Sequence, residues 1–135
     1  MQTDLEADRL CVFGIRLRCI KAALMSSLDV RINVSVLCLT GGNLAEIIAT
    51  SDERGVVRRR EKYMEKNNVS IEMFYDLLQT KISCDPINYA EYVDAENSLM
   101  VLGRFDSTVP YKNGNDLWEK IGKPEKITML SGHYT

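Results

Sequence analysis

The chain has 135 residues, the length of one small domain. Hydrophobic residues make up 45% and charged residues 27%, a globular composition, and seventeen basic against nineteen acidic side chains give a net charge of −2. That balance excludes a domain held on nucleic acid or acidic lipid by bulk charge. The longest apolar run falls far short of the roughly 18 residues of a membrane span. Met1-Gln2-Thr3-Asp4-Leu5-Glu6 has neither the basic start nor the apolar stretch of a signal peptide. The sequence therefore reads as one cytoplasmic unit over residues 1–135.

Leu10-Cys11-Val12-Phe13-Gly14 is an apolar run ending in glycine, the pattern of a strand buried on both faces. Leu17, Ile20, Ala23, Leu24 and Leu28 then recur at helical spacing. A second all-apolar run, Val34-Ser35-Val36-Leu37-Cys38-Leu39, closes at Thr40-Gly41-Gly42. Strand, helix and strand of these lengths predict a βαβ unit and a parallel sheet. Gly41-Gly42-Asn43 reads as a strand-to-helix turn on the rim of a pocket; without a following Lys-Ser/Thr it is no phosphate loop.

Residues 41–97 contain no convincing strand. Asn43 with Glu46 predicts a capping box, and Ser70 predicts the start of a helix with Ile71, Phe74, Tyr75 and Leu78 on one face. Arg58-Arg59-Arg60 and Lys62 stand among Glu53, Glu61 and Glu65, which predicts a solvated, salt-bridged helix face. The insertion is too long for an ordinary connection, so it reads as a helical cap. Phe74, Tyr75, Tyr89 and Tyr92 are read as packing within it.

Leu99-Met100-Val101-Leu102-Gly103 is the third predicted strand and Ile127-Thr128-Met129-Leu130 the fourth. Between them Leu117, Trp118 and Ile121 mark a helix stopped by Gly122 and Pro124. Cys11, Cys19, Cys38 and Cys84 form no C-x-x-C pair, and His133 is the only histidine. The cysteines read as small, buried, reduced hydrophobes, and no metal or cofactor is expected. In parallel sheets, sites form beyond the carboxyl ends of strands. That places Arg16, Asp106 and His133 at one end of the fold.

This order of strand–turn–helix, strand–Asp and strand–Gly-His resembles the C-terminal half of an α/β-hydrolase of the esterase and dienelactone-hydrolase-like branch. In that superfamily a G-x-S-x-G turn carries the nucleophile, and the triad runs Ser, acid, His along the chain. The resemblance implies a partial α/β-hydrolase fold, about four parallel strands flanked by helices, with residues 41–97 as its cap. It implies Asp106 as the acid, His133 as the general base and the backbone N–H of Leu17 as an oxyanion donor. It also implies a small acyl or ester substrate for the parent family.

The departure lies at the turn itself. Where the family pattern has serine this chain has Arg16, and where it has the second glycine this chain has Arg18. A guanidinium stays protonated and cannot attack a carbonyl. Arg18 should either push the turn open or point into solvent. Cys19, three residues along the helix, points away from the site. Losing the nucleophile of a triad costs ~10⁶ in rate. The sequence thus reads as an interior piece of a serine hydrolase, inactive or weakly active, which leaves its status as an enzyme uncertain. One alternative is an interaction module pairing with itself or a partner through the open edge at residues 10–13. Another is an unrelated α/β binding protein, in which Asp106 and His133 would not be neighbours.

Overall fold

A computed structural model describes residues 10–134, so the signal-peptide reading of residues 1–6 lies outside the described residues. The elements run β1 (Leu10–Ile15), α1 (Leu17–Leu28), β2 (Ile32–Cys38), α2 (Leu44–Thr50), α3 (Arg54–Asn67) and α4 (Ile71–Lys81). Two short 3₁₀ turns (Pro86–Asn88, Ala90–Tyr92) follow, then β3 (Ser98–Gly103), α5 (Tyr111–Ile121) and β4 (Glu125–Met129). The strands form one parallel sheet in the order β1-β2-β3-β4.

That order decides where the core lies. Parallel crossovers are right-handed almost without exception. In a sheet whose strand order never reverses, they all pass over the same face. Accordingly Cys19, Ala22 and Ala23 of α1, Leu117 and Ile121 of α5, and Ala90 and Val93 pack together on Leu37, Met100 and Leu102. Gly14 lets α1 sit close on β1, since a Cβ there would lie 2.6 Å from Cys19 Cα.

Among the described residues no helix covers the opposite face of the sheet. Phe13, Val36, Leu99 and Glu125 form one row across the four strands, and Ile15, Cys38, Val101 and Ile127 form the next. Phe13 is 61% exposed and Ile127 49%. This corrects the reading of the apolar runs as strands buried on both faces. Inner β3 has no exposed residue, but edge strands β1 and β4 are largely exposed. An apolar run records what a strand could bury, whereas topology decides what covers it.

Several local expectations are also corrected. Asn43 does not cap α2: it adopts φ 59°, ψ 58° and makes no side-chain cap bond. Asp85 does so instead, its carboxylate accepting from the N–H groups of Asn43 and Leu44. Glu46 accepts from Asn113 Nδ2 at 3.1 Å and pairs with Lys112. The turn at Gly41-Gly42 is buried rather than on a rim, and Gly42 N–H donates to the Asn113 carbonyl at 3.1 Å. On α3 the expected ion pairs with Glu53, Glu61 and Glu65 are absent among the described residues. Arg60 instead donates to the carbonyls of Ile48 and Ser51. Ser70 does cap α4 through Met73 N–H, and Gly122, at φ 105°, ends α5.

All four cysteines are free, but only Cys19 is buried; Cys11 and Cys84 are exposed. Within residues 41–97, α2 packs against α3 and α4, while the two 3₁₀ turns pack against α1 and α5. Among the described residues no helix is long and apolar enough to cross a membrane.

Candidate functional site

Three loops meet beyond the carboxyl ends of β1, β3 and β4. After β3 the chain turns sharply, and the turn is pinned to the end of β4: Arg104 N–H donates to the Met129 carbonyl (2.8 Å) and Phe105 N–H to that of Ser131 (3.1 Å). Asp106 follows. Its Oδ1 accepts from the N–H groups of Thr108 (2.9 Å) and Val109 (2.8 Å). That leaves Oδ2 aimed at His133 Nδ1, 2.7 Å away. Both residues are buried, with Asp106 6% and His133 7% exposed. A carboxylate at this distance orients the imidazole and leaves the other ring nitrogen for chemistry. The separation expected for an unrelated α/β protein is not found.

The third loop is the β1–α1 turn. Arg16 adopts φ 59°, ψ −131° there, in a region that only glycine visits freely. The turn stays closed despite Arg18, with Arg16 N–H donating to the Cys38 carbonyl (3.0 Å) and Cys19 N–H to the Arg16 carbonyl (2.8 Å). Arg18 is exposed, the second of the two outcomes expected for it. The Arg16 side chain turns toward the histidine loop. Its Nη2 donates to the His133 carbonyl at 2.7 Å, and its guanidinium carbon lies 4.4 Å from the centre of the Tyr134 ring. Tyr134 in turn meets the His133 ring edge-on, centroids 5.0 Å apart. Leu17 opens α1, so its N–H has no preceding turn to bond to.

Cys19 offers no substitute nucleophile. It is fully buried, and burial pushes its thiol up to about 12.

A hollow of about 300 Å³ lies against His133, lined also by Asp52, Glu53, Arg54, Ser107, Thr108 and Tyr134. Thr108 Oγ1 donates to Asp52 Oδ1 at 3.2 Å. The Ser107 hydroxyl foremost, and then Thr108, hold the Asp52 carboxyl below its usual range. The sequence analysis assigns no role to Asp52, Ser107, Thr108 or Tyr134. Asp52 sits between two helices with no strand before it, so no local pattern marks it. Ser107 and Thr108 do follow the Asp106 loop and could have been taken with it.

No protein-family model matches this sequence, and no curated protein matches it. Solved structures do. The chain is similar to the acetyl xylan esterase from Paenibacillus sp. R4, with a TM-score of 0.75 at 18% identity. It covers 97% of this chain and 42% of the esterase. The acylaminoacyl peptidase of Pyrococcus horikoshii matches at TM-score 0.70 and 13% identity, covering 96% of this chain and 20% of the peptidase. The enol-lactonase from Burkholderia xenovorans LB400 matches at 0.58 and 15%, covering 95% and 60%. The chain therefore has part of the α/β-hydrolase fold, spanning less than two thirds of each of these proteins.

Proposed function

From this partial α/β-hydrolase fold we infer that the chain derives from a serine hydrolase of carboxylic esters or related acyl bonds, and that it is catalytically impaired. In this reading Asp106 orients His133, His133 is a general base without a hydroxyl to deprotonate, and Leu17 N–H is an oxyanion donor. The hollow beside His133 takes a small acyl or ester ligand. Asp52, Glu53 and Arg54 bring the 41–97 segment to that hollow, which supports its role as a cap that sets acyl selectivity. The protein is cytoplasmic and binds neither nucleic acid nor membrane.

One observation carries the reading. Arg16 holds a strained backbone position at the β1–α1 turn, beside an assembled Asp106–His133 pair, and its guanidinium is bonded to the His133 carbonyl. An acyl ligand seated there would meet a cation where attack requires a hydroxyl.

The test is turnover of p-nitrophenyl acetate. The native chain should not exceed background, and neither should Arg16→Ser, because Arg18 still stands where the family pattern has the turn's second glycine. Measurable turnover by Arg16→Ser would overturn the account of impairment, and turnover by the native chain would overturn the role given to Arg16.

A second reading is favoured by β1 itself. Among the described residues it is an edge strand with one row of backbone groups facing no neighbour, and residues 10–15 include no proline or charge to discourage a partner. On this reading the chain is a non-catalytic interaction module that pairs through that edge.

A further inference from the structure

We propose that α5 and β4 together hold a linear phosphoryl polyanion on a strip of three cations stacked against two aromatic rings. The proposal does not depend on the reading of the His133 site, and its test uses a different readout.

The strip begins with strand geometry. Met100 and Leu102 belong to the core beneath α5, and they pair in register with Lys126 and Thr128 of β4. Those two residues therefore stand on the helix side of the sheet, on its last strand. Above them Tyr111 and Trp118 sit about two turns apart on one face of α5. Lys126 Nζ lies 3.5 Å from the centre of the Trp118 ring and 5.9 Å from that of Tyr111. Arg104, in the turn after β3, places its guanidinium carbon 4.7 Å from the centre of the Tyr111 ring. Lys123 Nζ lies 5.8 Å from that of Trp118.

Charge comes next. Among the described residues Arg104, Lys123 and Lys126 form no ion pair. Lys126 Nζ donates to a neutral amide, Asn115 Oδ1, at 2.9 Å. The acids of α5 are engaged elsewhere: Asp116 pairs with Lys112, and Glu119 accepts from Asn115 Nδ2. A chain of net charge −2 thus gathers positive charge along one short strip. The Tyr111 phenol registers that field. The Thr128 hydroxyl foremost, then the charges of Lys126 and Arg104, hold its pKa below the usual value.

A ring face attracts a cation but has no net charge, so the two rings fix these groups without neutralising them. An anion completes such a strip. Through the rings they share, Arg104 and Lys126 stand no more than about 11 Å apart, and Lys126 and Lys123 no more than about 10 Å, near the ~8–10 Å over which salt screens charge. The cations follow one another along α5, so a compact anion meets Lys126 and one neighbour at most. A chain of phosphoryl groups meets all of them, with the Arg104 fork and the two ammonium groups each taking phosphate oxygens.

Trp118 is the only tryptophan, and its contact with Lys126 makes its emission the readout. Orthophosphate, pyrophosphate and tripolyphosphate are titrated into the full chain at an ionic strength held constant with sodium chloride. Tripolyphosphate should give a saturable change. Its half-saturation should lie about tenfold below that of orthophosphate, the gain of one further charge-assisted hydrogen bond. Lys126→Gln should abolish saturation and Lys126→Arg should keep it. Arg104→Gln, in a surface turn away from the tryptophan, should weaken tripolyphosphate about three- to fivefold, the scale of one exposed charge pair. Lys62→Gln, on α3, should bind as the native chain does. A native emission that responds to tripolyphosphate no more than to sodium chloride would overturn the proposal. Equal affinity for orthophosphate and tripolyphosphate would overturn the strip, and native affinity in both Arg104→Gln and Lys126→Gln would place any anion elsewhere.

Discussion

Arg16 keeps φ 59°, ψ −131° although it is neither glycine nor a hydroxyl residue, and such a conformation costs about 1–3 kcal/mol. The surrounding bonds over-determine it. The Arg16 backbone is tied to Cys38 and Cys19, and its side chain to the histidine loop 117 residues away. Two substitutions separate backbone strain from side-chain bonding, since both remove the guanidinium but only one relieves φ. Arg16→Gly should be more stable than Arg16→Ala by about 1 kcal/mol, strain relief outweighing glycine's extra freedom in the unfolded chain. Urea midpoints measure the difference, and a midpoint for Arg16→Gly below that of Arg16→Ala would mean the turn carries no strain. Position 16 was legible in the sequence because an apolar run, a glycine and a helical repeat frame it. Its bond to the His133 carbonyl was not, because that partner comes from the other end of the chain. Asp106 and His133 were legible together only as an ordered pair of strand ends; alone, each reads equally well as turn chemistry.

Helix and strand periods marked each α-helix and strand to within a few residues, because they depend on side chains within one element. Coverage depends on other elements, and that expectation failed; of the helix ends, Ser70 and Gly122 held while Asn43 did not. Asn43 and Glu46 have the spacing of a capping box, yet the donors at the start of α2 go to Asp85, 41 and 42 residues away. A charged carboxylate already aimed at two N–H groups outcompetes a neutral side chain from the same turn. The contact between Asp52 and the loop after β3 is likewise invisible locally, and it has a pH signature. The folded Asp52 carboxyl lies below its usual range because Ser107 and Thr108 donate to its charged form. A depressed carboxyl contributes stability that is fully present above its unfolded value, about 3.9, and is lost as pH falls through the folded value. Stability of the native chain should therefore drop on acidification below about pH 4. Asp52→Asn should lose part of that dependence, being less stable than the native chain at pH 7 and converging with it at low pH. Superimposable acid profiles for the two proteins would show that the Ser107 and Thr108 contacts contribute nothing.

For the molecule as a whole, the α/β class was legible because alternating strands and helices leave few alternatives. The coverage of the sheet's two faces was not, because it follows from strand order, which no single run of sequence encodes. The strip formed by Arg104, Lys126 and Lys123 likewise needs the fold, because unfolding scatters its three cations. If a polyanion binds there, it binds the folded chain alone, and stability must depend on its concentration. Tripolyphosphate at ten times its dissociation constant then adds about 1.4 kcal/mol. With a denaturant slope of ~2 kcal/mol/M, that moves the urea midpoint up by ~0.7 M. Trp118 is placed to report it, its Nε1 donating to the Pro124 carbonyl at 2.7 Å and its ring lying 3.5 Å from Lys126 Nζ. Those contacts join α5 to β4 and break when the sheet does. At constant ionic strength the native midpoint should climb with tripolyphosphate while that of Lys126→Gln stays fixed. A native midpoint that does not move over a hundredfold range of tripolyphosphate would mean that the strip serves only to join α5 to β4.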